Sequence, residues 1–251
     1  QDNGSWRGPS ESPGGIEELV YEGEPAPGAD PLNATDTLTV TTSNAEIIPG
    51  DPGSGVVKPY DVAGYPLLSL SYQNVRNVTV TGTSAVVTGT DEDDMITVSA
   101  SGIVTVTNEL GFNNTVDVSA FSRLVINPRG GDDLIIVDPE VYNQGGITLA
   151  VLGGDPGDSD TLRVDHGQGQ LTDRDYSVDY PPGVADDAGV VAESGNGFLD
   201  FAGIEKLQLV GNGGGDKLQL NDDFGDNLWQ IGPGPAILGD SVRSQIDART
   251  P

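Results

Sequence analysis

The stretch Gly211-Asn-Gly-Gly-Gly-Asp216-Lys-Leu218-Gln-Leu220 is a glycine-rich turn that ends in an aspartate and passes at once into an alternating apolar strand. The same ending returns as Asp36-Thr-Leu38-Thr-Val40, Asp94-Met-Ile96-Thr-Val98, Asp132-Asp-Leu134-Ile-Ile136 and Asp160-Thr-Leu162-Arg-Val164. A second short strand lies upstream of each turn: Leu19–Tyr21, Val78–Val80, Leu124–Ile126, Leu149–Val151 and Leu207–Leu209. Five copies of strand, Gly/Asp turn, strand mark a repeat protein. Asp36 to Asp94 spans 58 positions and Asp160 to Asp216 spans 56, so the unevenness itself repeats. Gly15-Ile-Glu-Glu-Leu19 matches Gly203-Ile-Glu-Lys-Leu207. The expected organisation is an N-terminal arm over 1–15, a first β-repeat unit over 16–145, a second and incomplete unit over 146–239, and a tail over 240–251.

The apolar residues alternate with a period of two, the period of strands with one face to bury. Many short strands separated by Gly/Asp turns predict an all-β protein. Recurrence of one turn sequence favours a parallel β-solenoid, or β-helix-like, architecture, in which equivalent side chains stack along a continuous core. Tandem β-sandwich domains are the alternative. Residues 43–66 read as irregular because of Pro49, Pro52, Gly53, Gly55, Pro59, Gly64 and Pro66. Residues 165–200 also read as irregular, apart from strands at Tyr176–Tyr180 and Phe198–Phe201. The tail reads as one or two helical turns, with Asp240 as cap and Val242 and Ile246 four apart.

Lys and Arg number 11 against 39 acidic residues, a net charge of −28. Such a surface repels nucleic acid and anionic lipid and attracts cations. Cysteine is absent, which removes disulfides, thiol chemistry and Cys-ligated zinc. His166 is the single histidine, and its setting beside Asp165 reads as an exposed turn. There is no apolar run long enough to cross a bilayer as a helix, so membrane insertion is not expected. The chain reads as a mature, secreted protein of the cell exterior or cell surface. Sequons at Asn3, Asn33, Asn77 and Asn113 allow glycosylation in a cell that performs it.

The turn Gly211, Gly214, Asp216, Leu218 resembles the hemolysin-type, or RTX, calcium-binding nonapeptide Gly-Gly-x-Gly-x-Asp-x-apolar-x, with Asn212 in place of the second glycine. Gly153, Gly154, Asp160 and Leu162 fit the same pattern in a turn two residues longer, while Glu92 replaces a glycine between Gly89 and Asp94. The wider arrangement, covering most of residues 15–220, is similar to Gly/Asp-rich repeat proteins of bacterial cell surfaces. That resemblance implies calcium held by aspartate carboxylates and glycine-freed carbonyls. Ca²⁺ takes six to eight hard oxygens, and glycine lets a turn point its carbonyls inward. The carboxylates that would serve are Asp91, Asp93, Asp94, Asp132, Asp133, Asp155, Asp158, Asp160, Asp216, Asp222, Asp223 and Asp226. Here the turn aspartates are too far apart in sequence for the family's sandwiching of calcium between consecutive nonapeptides. The competing reading of each aspartate is a turn former that bonds its own backbone.

No constellation suggests an enzyme. Arg129 beside Asp132 and Asp133, and Arg174 between Asp173 and Asp175, are the nearest approach to the carboxylate–base sets of β-helical lyases. Without catalysis the expected role is mechanical: a subunit of a fibre, surface layer or matrix that binds copies of itself head-to-tail, with 1–15 and its Trp6 as docking arm. Glycans or other surface proteins are the alternative partners, with Tyr60, Tyr65 and Tyr72 as the clustered aromatics of an adhesin.

Overall fold

The computed structural model describes residues 18–22, 37–51, 53–75, 77–108, 113–143, 146–154, 159–166, 175–180, 188–193, 197–210, 217–221 and 243–245. These residues form an all-β protein, two large sheets with one turn of helix. In chain order the strands begin β1 (Glu18–Glu22), β2 (Thr37–Thr41), β3 (Asn44–Pro49), β4 (Gly55–Tyr60), β5 (Ser69–Gln73), β6 (Asn77–Thr81) and β7 (Ser84–Thr88). They continue as β8 (Asp94–Val98), β9 (Ile103–Asn108), β10 (Asn113–Asp117), β11 (Arg123–Asn127) and β12 (Leu134–Val137), followed by helix α1 (Glu140–Asn143). The remainder are β13 (Thr148–Leu152), β14 (Thr161–Asp165), β15 (Asp175–Asp179), β16 (Gly189–Glu193), β17 (Phe198–Ala202), β18 (Lys206–Val210), β19 (Lys217–Asn221) and β20 (Arg243–Gln245).

One sheet has twelve strands in the order β1-β5-β4-β3-β7-β11-β13-β17-β16-β15-β19-β20, and the other has eight, β18-β14-β12-β8-β9-β10-β6-β2. Only β4, β9 and β16 run against the rest of their sheets. Parallel neighbours need a crossover, and here the other sheet supplies it. The chain goes from β7 to β8, from β11 to β12, from β13 to β14 and from β17 to β18, each time leaving the twelve-stranded sheet for the eight-stranded one.

This path places like on like. In the eight-stranded sheet Ile96, Ile135, Leu162 and Leu207 stand side by side, as do Val98, Val137, Val164 and Leu209. In the twelve-stranded sheet Ala45, Ala85, Leu124, Leu149 and Leu199 align, beside Ile47, Val87, Ile126, Val151 and Phe201. These rows, one strand in two residues, are the inward faces, and they merge into a single buried cluster drawn from both sheets. Burial of each such side chain contributes about 1.5–3 kcal/mol.

Two of the five sequence copies fall in other places. The copy after Asp36 is β2, which pairs with β6, and the copy after Asp216 is β19, which lies in the twelve-stranded sheet beside β15. The third copy starts one residue later than the motif suggests, because Leu134 is registered with Met95 and so Asp133 is the counterpart of Asp94. Strands from 16–145 and 146–239 pair directly, β11 with β13 and β12 with β14.

Residues 43–66 are not irregular: β3 and β4 pair antiparallel through them. Pro49 closes β3, and Pro59 lies past the stretch where β4 meets β5, so its missing N–H breaks no bond on that side. In 165–200, β16 also emerges, reversed between β15 and β17. Within the tail, Arg243–Gln245 form β20, parallel to β19, where helical turns were expected, while Asp240, Val242 and Ile246 lie outside the described residues. A helix that short is marginal by itself, whereas an open strand edge offers ready hydrogen bonds. Trp6 and the arm 1–15 lie outside the described residues.

Candidate functional site

Each crossing from β7, β11, β13 and β17 into the second sheet turns a corner, and the corners stack. At Gly153 an added Cβ would sit 1.5 Å from the Gly203 carbonyl oxygen. Gly154, at φ +107°, would bring one to 1.8 Å from that of Arg129. Only glycine allows such an approach of backbone to backbone.

Carboxylates join the stacked corners. The Asp94 N–H donates to Asp133 Oδ1 at 2.7 Å, 39 residues away. The Asp133 N–H donates to Asp160 Oδ1 at 2.9 Å across 27 residues, and the Asp160 N–H to Glu205 Oε2 at 2.7 Å across 45. A second, exposed row runs the other way: Asp93 Oδ1 accepts the Asp132 N–H at 2.7 Å, and Asp132 Oδ1 accepts the Ser159 N–H at 2.9 Å. These aspartates bond the backbone of neighbouring passes, and Asp94 bonds that of its own turn as well.

The inner row is buried, with Asp94, Asp133 and Asp160 at 3%, 1% and 1% exposure. Asp94 Oδ2 receives the Thr90 N–H at 2.6 Å and the Thr90 hydroxyl at 3.0 Å. Asp94 Oδ1 and Asp133 Oδ2 have no hydrogen-bond partner. Burial pushes the Asp133 carboxyl up to about 8, with the charges of Asp160, Asp94 and Asp93 adding to the rise against the lowering effect of the Asp94 N–H. Asp94 is also raised, first by burial, with Asp93 and Glu92 adding, while its bonds from Thr90 oppose the shift. Such a row either holds protons or answers to a cation.

Of the expected metal ligands, Asp93, Asp94, Asp132, Asp133 and Asp160 are thus brought together at one corner, and Asp91 lies exposed in the loop beside Thr90. Asp155, Asp158, Asp216, Asp222, Asp223 and Asp226 lie outside the described residues. Separations of 27 to 45 residues do not keep these carboxylates apart, because passes of unequal length stack in register. Among the described residues no group of three or more His, Cys, Asp or Glu side chains is arranged to hold a metal ion as it stands. Glu205 was missed as a site residue, although Gly203-Ile-Glu-Lys-Leu207 stood out as a repeated flank.

The other candidates separate. Tyr72 is buried at 2% exposure while Tyr65 is 69% exposed, so the three tyrosines make no common platform. Arg129 faces Glu46 at 3.9 Å, and Glu46 also takes Lys58 at 3.3 Å.

His166 is no exposed turn residue: its side chain is 2% exposed. It follows β14, and the β12–β14 register sets it beside the start of α1. Nε2 lies 3.3 Å from Glu193 Oε2, and Nδ1 lies 3.9 Å from Asp138 Oδ1 and 3.8 Å from Glu140 Oε1. Asn143 donates from Nδ2 to Glu193 Oε2, and the Tyr176 ring sits 6.3 Å from the imidazole, centre to centre.

No family model matches the chain, and no curated protein is found to be similar to it.

Proposed function

We propose that this is a secreted, non-catalytic structural protein, a parallel β-solenoid that self-associates head-to-tail as the subunit of an extracellular fibre, surface layer or matrix. The observation that carries the reading is the state of the two edges of the eight-stranded sheet. β2 and β18 lie at opposite edges and point the same way, and each pairs with a single strand among the described residues. Leu162 and Val164 in β14 are fully covered, yet their neighbours Leu207 and Leu209 in β18 are only partly so. A second copy that lays its β2 parallel to β18 extends both apolar rows with Leu38 and Val40. Such a contact uses different surfaces on the two partners, so it propagates instead of closing on itself. The near absence of reversed strands supports a solenoid over sandwiches, whose sheets are built from antiparallel pairs.

Calcium is part of the proposal. The corner carboxylates bring several oxygens and like charges together, and the buried Asp94 Oδ1 and Asp133 Oδ2 lack partners. Ca²⁺ bound along Asp93, Asp94, Asp132, Asp133 and Asp160 would neutralise that row and stiffen the turns as a structural ion.

Electron microscopy and small-angle scattering of the purified protein, with Ca²⁺ or with EGTA, test both parts. The expected result is filaments or long oligomers that shorten on chelation. Leu207→Lys with Leu209→Lys is expected to leave a folded monomer. Polymers indifferent to EGTA would remove the ion and keep the structural role. A compact monomer in every buffer would overturn the self-association.

A further inference from the structure

The His166 cluster is separate from the corner carboxylates and plays no part in the role proposed above. It is assembled from elements inserted between the stacked strands: Asp138 and Glu140 at the start of α1, Glu193 at the end of β16, and His166 just after β14. Asp138 stands at the start of α1, where its Oδ1 accepts the Glu140 N–H at 3.0 Å. On the far edge of the imidazole, Glu193 is itself buried at 4% exposure and held by Asn143. Both ring nitrogens are buried and neither has a hydrogen-bond partner. Nε2 lies nearest Glu193, and Nδ1 faces two carboxylate oxygens. Electron-rich atoms drawn this close to one another favour a positive charge between them.

We propose that His166 Nδ1, Asp138 and Glu140 bind one first-row divalent transition ion, Zn²⁺ by preference over Ca²⁺, with Glu193 orienting the imidazole from its other edge. An imidazole nitrogen with two carboxylates suits a borderline ion, whereas Ca²⁺ takes oxygens alone. A carboxylate behind the ligating histidine fixes its tautomer and raises its basicity, which is the place Glu193 occupies. Neighbouring ligands of an ion bonded at about 2.0–2.1 Å stand roughly 3.0–3.5 Å apart. The present separations of 3.8 and 3.9 Å therefore close by about half an ångström on binding. The side chains of Asp138 and Glu140 are 26% and 13% exposed, which gives the ion an entry and the two carboxylates room to move.

The test is calorimetric titration of the full chain with Zn²⁺ in excess Ca²⁺, which occupies the acidic surface, together with Co²⁺ absorption spectroscopy. One tight Zn²⁺ site per chain is expected, with a Co²⁺ spectrum showing a nitrogen ligand. His166→Gln should abolish it. Glu140→Gln, a milder change near the surface that keeps the fold, should weaken it by at least about tenfold, and Glu193→Gln by about 10–100-fold. Wild-type protein that takes up Zn²⁺ no more tightly than Glu140→Gln would overturn the site. So would a Co²⁺ spectrum of oxygen ligands alone. Failure there leaves the filament test untouched, because EGTA-sensitive assembly depends on the opposite corner of the strands.

Discussion

Asp133→Asn isolates the electrostatics of the carboxylate row. Asparagine keeps the shape and the Oδ1 that accepts the Asp94 N–H, removes the charge, and puts an NH2 donor in place of Oδ2. In the folded protein burial lifts the Asp133 carboxyl from 3.8 to about 8. The folded pKa lies above the unfolded one, so the stability it confers is fully present below about pH 3.8 and is lost as pH rises through about 8. At about 1.36 kcal/mol per pH unit, that span corresponds to at most about 6 kcal/mol of penalty on the wild type at high pH. For a chain of this size one kcal/mol moves Tm by about 2–4 °C, so the two proteins should separate by roughly 10–20 °C at the upper limit.

The assay is thermal unfolding by circular dichroism from pH 4 to pH 9 in EGTA, wild type against variant. The general self-repulsion of an acidic chain lowers both curves alike, so the difference between them is the quantity read. It should be small at pH 4 and grow towards pH 8. Millimolar Ca²⁺ at pH 8 should then raise the wild type and leave the variant nearly unchanged. Parallel curves across the whole range would refute the claim that Asp133 ionises at a cost inside the row.

Other substitutions probe the stacking itself. Gly153→Ala places a Cβ 1.5 Å from the Gly203 carbonyl oxygen, and should cost at least about 3 kcal/mol in denaturant unfolding because two backbones must part. Ile135→Ala removes a side chain flanked by Ile96 and Leu162 in the middle of its row, and should cost about 2–5 kcal/mol. Tyr65→Ala, at an exposed position, should change stability by less than about 0.5 kcal/mol.

The strands were legible because burial on one face imposes a period of two, and Val78–Val80, Leu162–Val164 and Leu207–Leu209 carry it plainly. Their stacking was less so. Strands that touch are separated by 39, 27 and 45 residues at the corner carboxylates, because β9, α1 and the β15–β16 pair are inserted between passes of the chain. A fixed period is erased by insertions of unequal length, while the hydrogen-bond register survives them. The choice of Asp133 over Asp132 shows the same limit: two adjacent aspartates satisfy one motif, and only pairing with Met95 decides which belongs to the inner row. His166 could not have been placed from its neighbours Asp165 and Gly167. Its carboxylates come from α1 and β16, 26 and 27 residues away.

Asparagine would serve as well as aspartate for stapling one pass to the next, since a single carbonyl oxygen accepts the N–H. An uncharged row would also escape the cost of burial, and the added repulsion, that raise Asp94 and Asp133. The chain nevertheless places carboxylates at both the inner and the outer row, and ends the inner row on a fourth, Glu205. The hydrogen bonds explain an oxygen at each position; they do not explain the charge. The cation we propose would, because it would turn the repulsion into a term that holds successive corners together. In the filament we propose, the row would be a switch as well as a staple: with calcium the corners would be stiff and the edges β2 and β18 presented in register, and without it the like charges would loosen the stack from which those edges extend.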